Sequence, residues 1–140
     1  MVQMAWVARK WRNLLDQRLR TIGHNGARME ALANIAYSPP ESSQVEIAGR
    51  IGIERASVTR MLDTLEADGL VERLADPNDR RTKRVRLTDA GEAALLEIQA
   101  LVTDLRATLL RNLDPVAIDQ TNLFLADLLV ELDAGITEPR

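Results

Sequence analysis

The 140-residue chain has no cysteine, a single histidine (His24) and only four aromatic residues, Trp6, Trp11, Tyr37 and Phe124. Without cysteine there is no disulfide, no thiol redox chemistry and no thiolate zinc site. One histidine argues against a His-built metal site and against a His-paired nucleophile. So few aromatics argue against a surface that stacks single-stranded bases. No run approaches the roughly 20 apolar residues of a spanning helix. Arg9, Lys10 and Arg12 interrupt any signal-peptide core. These absences point to a cytoplasmic protein with no membrane partner, no metal and no cofactor. They also disfavour an enzyme, since no carboxylate constellation or nucleophile motif accompanies them.

What is present is globular: 46% apolar and 28% charged residues. A formal charge of −3 would by itself discourage a polyanionic partner, but the charges are segregated. Residues 1–87 carry 15 Lys/Arg against 11 Asp/Glu, whereas residues 88–140 carry 3 against 10. The sharpest cationic excess lies within 73–86, where Arg73, Arg80, Arg81, Lys83, Arg84 and Arg86 face only Asp76 and Asp79. A polyanion binder needs its charge on one surface, and the remainder can be acidic. A solvated loop is the plain alternative for such a run.

Helical periodicity dominates the chain. Residues 4–22 place Trp11, Leu14, Leu15, Leu19 and Ile22 on one amphipathic face. Gly23-His24-Asn25-Gly26 breaks that helix, and a second spans about 27–37 with Met29, Leu32, Ala33 and Ala36 on its apolar face. Ser38-Pro39-Pro40 ends it, because a residue before proline is pushed out of the helical region. Ser43 to Glu46 reads as a capping box opening a short helix over 44–51, with Val45, Ala48 and Ile51 inward. After Gly52 a further helix runs from Glu54 or Arg55 to Asp68, burying Val58, Met61, Leu62 and Leu65. Gly69 ends it.

The period then changes from 3.6 to 2. Leu70–Ala75 and Lys83–Leu87 are two strands, and in the second Val85 and Leu87 alternate with Arg84 and Arg86, one side buried and the other cationic. Thr88 caps a long helix over 89–112 with a heptad-like seam, and Asp114-Pro115 opens a last one to about Ala134. The fold class is mainly α with a small β-hairpin wing. In order α-α-α-α-β-β-α-α, it is a winged helix-turn-helix flanked by dimerisation helices. Three regions of one compact domain follow: helices at 1–37, the winged lobe at 38–88, and C-terminal helices at 89–140.

In a helix-turn-helix the second helix enters a major groove. With its apolar stripe inward, the helix from Arg55 presents Arg55, Ser57, Thr59 and Arg60 outward. Arginine takes guanine edges bidentately, and Ser or Thr contacts bases or phosphates. At the hairpin, Arg80 and Arg81 have the reach and charge for a minor groove, with Asp79 placed to hold an arginine and Lys83 at the base of the wing. Helix and cationic wing together indicate double-stranded DNA.

Three segments now carry a family resemblance: Leu62 to Arg73 (LDTLEADGLVER), Asp76 to Arg81 (DPNDRR), and Val85 to Gly91 (VRLTDAG). They resemble the MarR family of bacterial transcriptional regulators, with Arg80-Arg81 most similar to its SlyA branch. The resemblance implies a homodimer held by the first and last two helices. It also implies a major-groove helix beginning near Arg55 and an Asp79–Arg81 pair in which the arginine reaches the minor groove. Many members are repressors released by small aromatic or phenolic acids bound beside the dimer helices, and others displace a silencing protein. Gly49 departs from good helix chemistry, and Pro39-Pro40 is expected to shorten the family's usual first strand. The peroxide-sensing mechanism is excluded for want of cysteine.

An aromatic carboxylate or phenolic effector would need an apolar slot with a few polar groups. Trp11, Arg18, His24 and Met29 lie on or between the first two helices, where the family's crevice falls. The expected partners are a pseudo-palindromic operator, a second copy of the chain and such an effector. The alternatives are a winged-helix protein-interaction module and a constitutive nucleoid-type DNA binder without effector.

Overall fold

A computed structural model describes residues 2–40, 42–51, 55–77, 79 and 82–135, with Ile51 and Arg55 described by backbone alone. Six helices and one hairpin follow in order: α1 (Val2–Arg20), α2 (Gly26–Ala36), α3 (Gln44–Ile51), α4 (Arg55–Ala67), β1 (Val71–Ala75), β2 (Lys83–Leu87), α5 (Asp89–Leu110) and α6 (Pro115–Ala134). The mainly helical fold with a hairpin wing is the one expected.

Local chemistry sets the boundaries. Past α1, Gly23 sits at φ 77°, a left-handed conformation that costs glycine nothing. Asn25 then caps α2, its side chain accepting the Arg28 amide at 2.8 Å. The capping box forms as read: the Glu46 amide donates to Ser43 Oγ at 3.2 Å, and the Ser43 amide donates to Glu46 Oε2 at 2.7 Å. At the far end Asp114 accepts the Val116 amide at 3.0 Å, with Pro115 in the first turn of α6.

Thr88 ties the hairpin to α5. Its hydroxyl donates to the Gly69 carbonyl at 2.6 Å and accepts the Gly91 amide at 3.0 Å, while its own amide donates to the Leu70 carbonyl at 3.1 Å. That knot brings α5 so close to Leu70 that a Cβ on Gly91 would lie 1.9 Å from the Leu70 carbonyl oxygen. Only glycine fits there.

The hairpin is antiparallel, Val71 opposite Leu87 and Ala75 opposite Lys83. The segment after α2 adds a single bridge between Ser43 and Arg84, with the Val85 amide donating to the Ser42 carbonyl at 3.1 Å. The proline-bearing segment thus shortens this third strand to one residue.

Residues Met1–Leu105 and Arg106–Arg140 form two compact units. The first holds the core: Leu15 and Leu19 of α1, Ala31, Leu32 and Ile35 of α2, Ile47 and Ala48 of α3, Val58, Leu62 and Leu65 of α4, then Val71, Val85, Ala94, Leu95 and Ile98. Two inward assignments are corrected. Val45 is 52% exposed and Ile47 fully buried, because two helical residues differ by about 200°. A stripe through Ile47 therefore turns Val45 outward. Likewise the buried line of α2 passes through Ala31, Leu32 and Ile35, leaving Ala36 exposed.

The second unit holds the end of α5 and all of α6. No residue of α6 is buried, and Val116, Leu123, Phe124, Leu129, Val130 and Leu132 are all exposed in the chain.

Candidate nucleic-acid interface

Helices α3 and α4 pack through Ile47, Ala48, Val58 and Leu62, so the opposite side of α4 is turned to solvent. Ser57 and Arg60 are exposed there, and Thr59 is half-buried. Arg60 forms no ion pair among the described residues, which leaves its guanidinium available to an external anion. Thr59 is turned toward α3, where its Oγ1 accepts from Gln44 Nε2 at 2.7 Å. The backbone of α4 begins at Arg55, while the side chain of that residue lies outside the described residues.

The hairpin differs from a uniformly cationic ribbon. Arg73, on β1, donates through Nη2 to the Thr59 carbonyl at 3.2 Å and pairs through Nη1 with Asp63 at 2.6 Å and Glu66 at 3.5 Å. One guanidinium thereby braces α4 along two turns, although its Nε is buried without a hydrogen-bond partner among the described residues. Arg84 pairs with Asp76 at 2.8 Å, and Arg86 with Glu72, its cross-strand neighbour, at 2.5 Å. The supposed cationic side of β2 is therefore a row of ion pairs at Arg84 and Arg86. Carboxylates on β1 and in the turn stand opposite those arginines, and opposite charges facing one another across strands attract.

Lys83, at the start of β2, is exposed and forms no ion pair among the described residues. It shares a groove of about 290 Å³ with Ser43, Gln44, Val45, Ala48, Thr59 and Thr82. Asp79 is exposed, and its Oδ2 accepts from the Thr82 hydroxyl at 2.9 Å, which shapes the turn into β2. Arg80 and Arg81 lie outside the described residues, and with them the expected Asp79–Arg81 pair. Sequence reasoning missed Gln44. No local pattern pointed to it, because its partner Thr59 lies 15 residues away in the sequence.

The four residues offered for an effector divide into two pairs. Trp11 and Met29 line one cavity of about 710 Å³ between α1 and α2, together with Arg12, Asp16, Glu30 and Asn34. Both also pack against the core. Arg18 is exposed and His24 half-buried, and neither lines that cavity. Arg12, not Arg18, is its cation. The Nδ1 of His24 is buried with no partner among the described residues. Its pKa is held below the usual histidine value, first by burial and then by the nearby Arg28, with Glu97 acting in the opposite sense. Glu46 is also shifted down, by the hydrogen bonds it accepts from the Ser43 amide and hydroxyl.

Among the described residues no helix is long and apolar enough to cross a membrane, and no group of acidic or histidine side chains could hold a metal ion.

A helix-turn-helix followed by a braced β-hairpin defines a winged-helix protein. Within that class the MarR family model matches residues 25–83. The crystal structure of wild-type apo MarR from E. coli is 30% identical, covering 91% of this chain and 94% of that chain with a TM-score of 0.79. A mutant of the same protein complexed with operator DNA is likewise 30% identical, covering 91% of each chain at a TM-score of 0.79. The M. tuberculosis transcriptional regulator MOSR, in complex with DNA, is 32% identical over 93% of this chain and 96% of that chain, with a TM-score of 0.65. The chain belongs to the MarR family, a family of transcription regulators and not of enzymes.

Proposed function

We propose that the chain is a homodimeric, sequence-specific DNA-binding transcription regulator acting in the cytoplasm. The observation that carries this reading is that two relatives, 30% and 32% identical over nearly the whole chain, were solved on DNA. Exposed Ser57 and Arg60 on α4, and Lys83 on the wing, which forms no ion pair among the described residues, support it, since these groups suit base edges and phosphates. Arg55, Thr59, Asp79, Arg80 and Arg81 complete the interface. A dimer is supported by α6, whose exposed leucines, valines and Phe124 form more apolar surface than a solvated helix carries. Residues 1–37 and 89–140 supply that interface, and residues 38–88 contact an imperfect palindrome with half-sites about 10 bp apart.

The regulator acts as a repressor or anti-silencer of the SlyA type, in keeping with the Asp-Pro-Asn-Asp-Arg-Arg wing. A small aromatic or phenolic acid is its effector. Trp11 and Met29 would sandwich the ring, and Arg12 would meet the carboxylate. Arg18 and His24 do not line that cavity.

The test is a salt-dependent titration against DNA from upstream of the coding sequence, with random duplex as control. A steep fall of log K with log salt and a preference of orders of magnitude over random duplex are expected. Equal, weak binding to both duplexes would replace the regulator with a nucleoid-type binder. No binding at low salt would leave a protein-interaction module. Salicylate is the first effector probe, expected to weaken the complex in the wild type and not in Arg12→Ala.

A further inference from the structure

Resting on that DNA-binding reading, we infer that Gln44 is a specificity-determining residue that reads an A·T pair from the first helix of the motif. It is a contact that the recognition-helix pattern does not contain.

Gln44 is the first residue of α3 and lines the open groove between α3, α4 and the start of β2. A glutamine amide offers two N–H donors and one carbonyl acceptor. One N–H is engaged with Thr59 Oγ1 at 2.7 Å, which restrains the rotation of the amide about its long side chain. The other N–H and the carbonyl form a donor–acceptor pair, the complement of the N6 and N7 edge of adenine in the major groove.

The neighbouring residue decides between a base and a phosphate. Val45 lines the same groove and is 52% exposed, an apolar residue of α3 outside the core. A phosphate contact would account for an amide beside Lys83, but not for a branched apolar side chain next to it. Thymine carries the one methyl group in the major groove, and an apolar side chain is its partner. An amide and an isopropyl group side by side therefore match the two bases of an A·T pair, or adenine and thymine on adjacent pairs. Lys83, across the groove, supplies the phosphate contact that sets the register.

The test begins with a duplex selected by the wild type from a random pool, compared with an unselected duplex. Failure of the wild type to prefer the selected duplex would sink the DNA-binding reading itself, before any variant is made. Given that preference, Gln44→Ala is expected to bind the selected duplex about tenfold more weakly and the unselected duplex unchanged, at the same salt slope. One A·T pair in each half-site should become replaceable by G·C without further loss. Gln44→Glu, which keeps the length and an acceptor but loses the amide donors, should lose the same preference. Thr59→Val, similar in shape but without the hydroxyl, should move the same base pair in the same direction by less. Equal loss on both duplexes would assign Gln44 to a phosphate and overturn the proposal. So would unchanged affinity of both Gln44 variants for the selected duplex.

Discussion

The two units of the chain use the same apolar residue types to opposite ends. In Met1–Leu105, leucines, isoleucines and valines from seven successive elements converge on one interior, and Leu19, Leu32, Ile47, Val58 and Leu62 are completely buried. In Arg106–Arg140, α6 is at least as apolar, yet none of its residues is buried. A buried leucine face is consumed by folding, whereas an exposed one remains available for association, which is the physical ground for proposing that α6 docks on a second copy of the chain.

Removing side chains from each side breaks the comparison most directly. Leu62→Ala leaves a cavity in the first unit and should lower unfolding stability by about 2–5 kcal/mol, measured by denaturant titration. Gly91→Ala should cost about 1–3 kcal/mol by driving Leu70 away from the Thr88 knot. Both effects should persist in dilute protein. Leu129→Ala, by contrast, should change monomer stability by less than about 0.5 kcal/mol, because Leu129 is 61% exposed. Its expected effect is a weaker dimer in sedimentation equilibrium. An undiminished dimer would remove α6 from the interface.

His24 sharpens the comparison within the first unit. Its folded-state pKa is depressed, so the unfolded chain takes up the proton at higher pH than the folded one. The stability associated with neutral His24 is present above the ordinary histidine value near 6.5 and is lost as pH falls through the lower folded value. His24→Gln should flatten that part of the pH–stability profile. An unchanged slope below pH 6.5 would place the titration elsewhere. Gly49, inside α3, gives a small effect of the opposite sign, since a Cβ there would meet nothing within 4 Å. Gly49→Ala should stabilise the protein by about 0.5–1 kcal/mol, read as a raised Tm.

The arginines of the hairpin carry a second lesson. Six cations against two aspartates within 73–86 looked like one free cationic surface. The partners that answer Arg73 and Arg86 lie outside the window's counted acids or on another element: Asp63 and Glu66 on α4, Glu72 one strand away. A local charge count cannot include a carboxylate that only the fold brings within reach. Gln44 escaped notice for the same reason, since its partner Thr59 is 15 residues distant in sequence. Between α1 and α2, Trp11 and Met29 share a cavity as their helical faces suggested. Arg18 and His24 do not, because the rotation of α1 and the turn before α2 carry them elsewhere.

The sequence by itself determined whatever depends on near neighbours. The element order, the capping box at Ser43 and Glu46, the caps at Thr88 and Asp114, and the stripe of Val58, Leu62 and Leu65 were all legible. Each is an interaction within four residues, or a periodicity imposed by backbone geometry. Tertiary structure alone decided which arginines are neutralised, that Val45 faces a groove and Ile47 the core, and that Gly91 must lack a Cβ. Those outcomes depend on distances between segments remote along the chain, and such distances exist only once the core has closed.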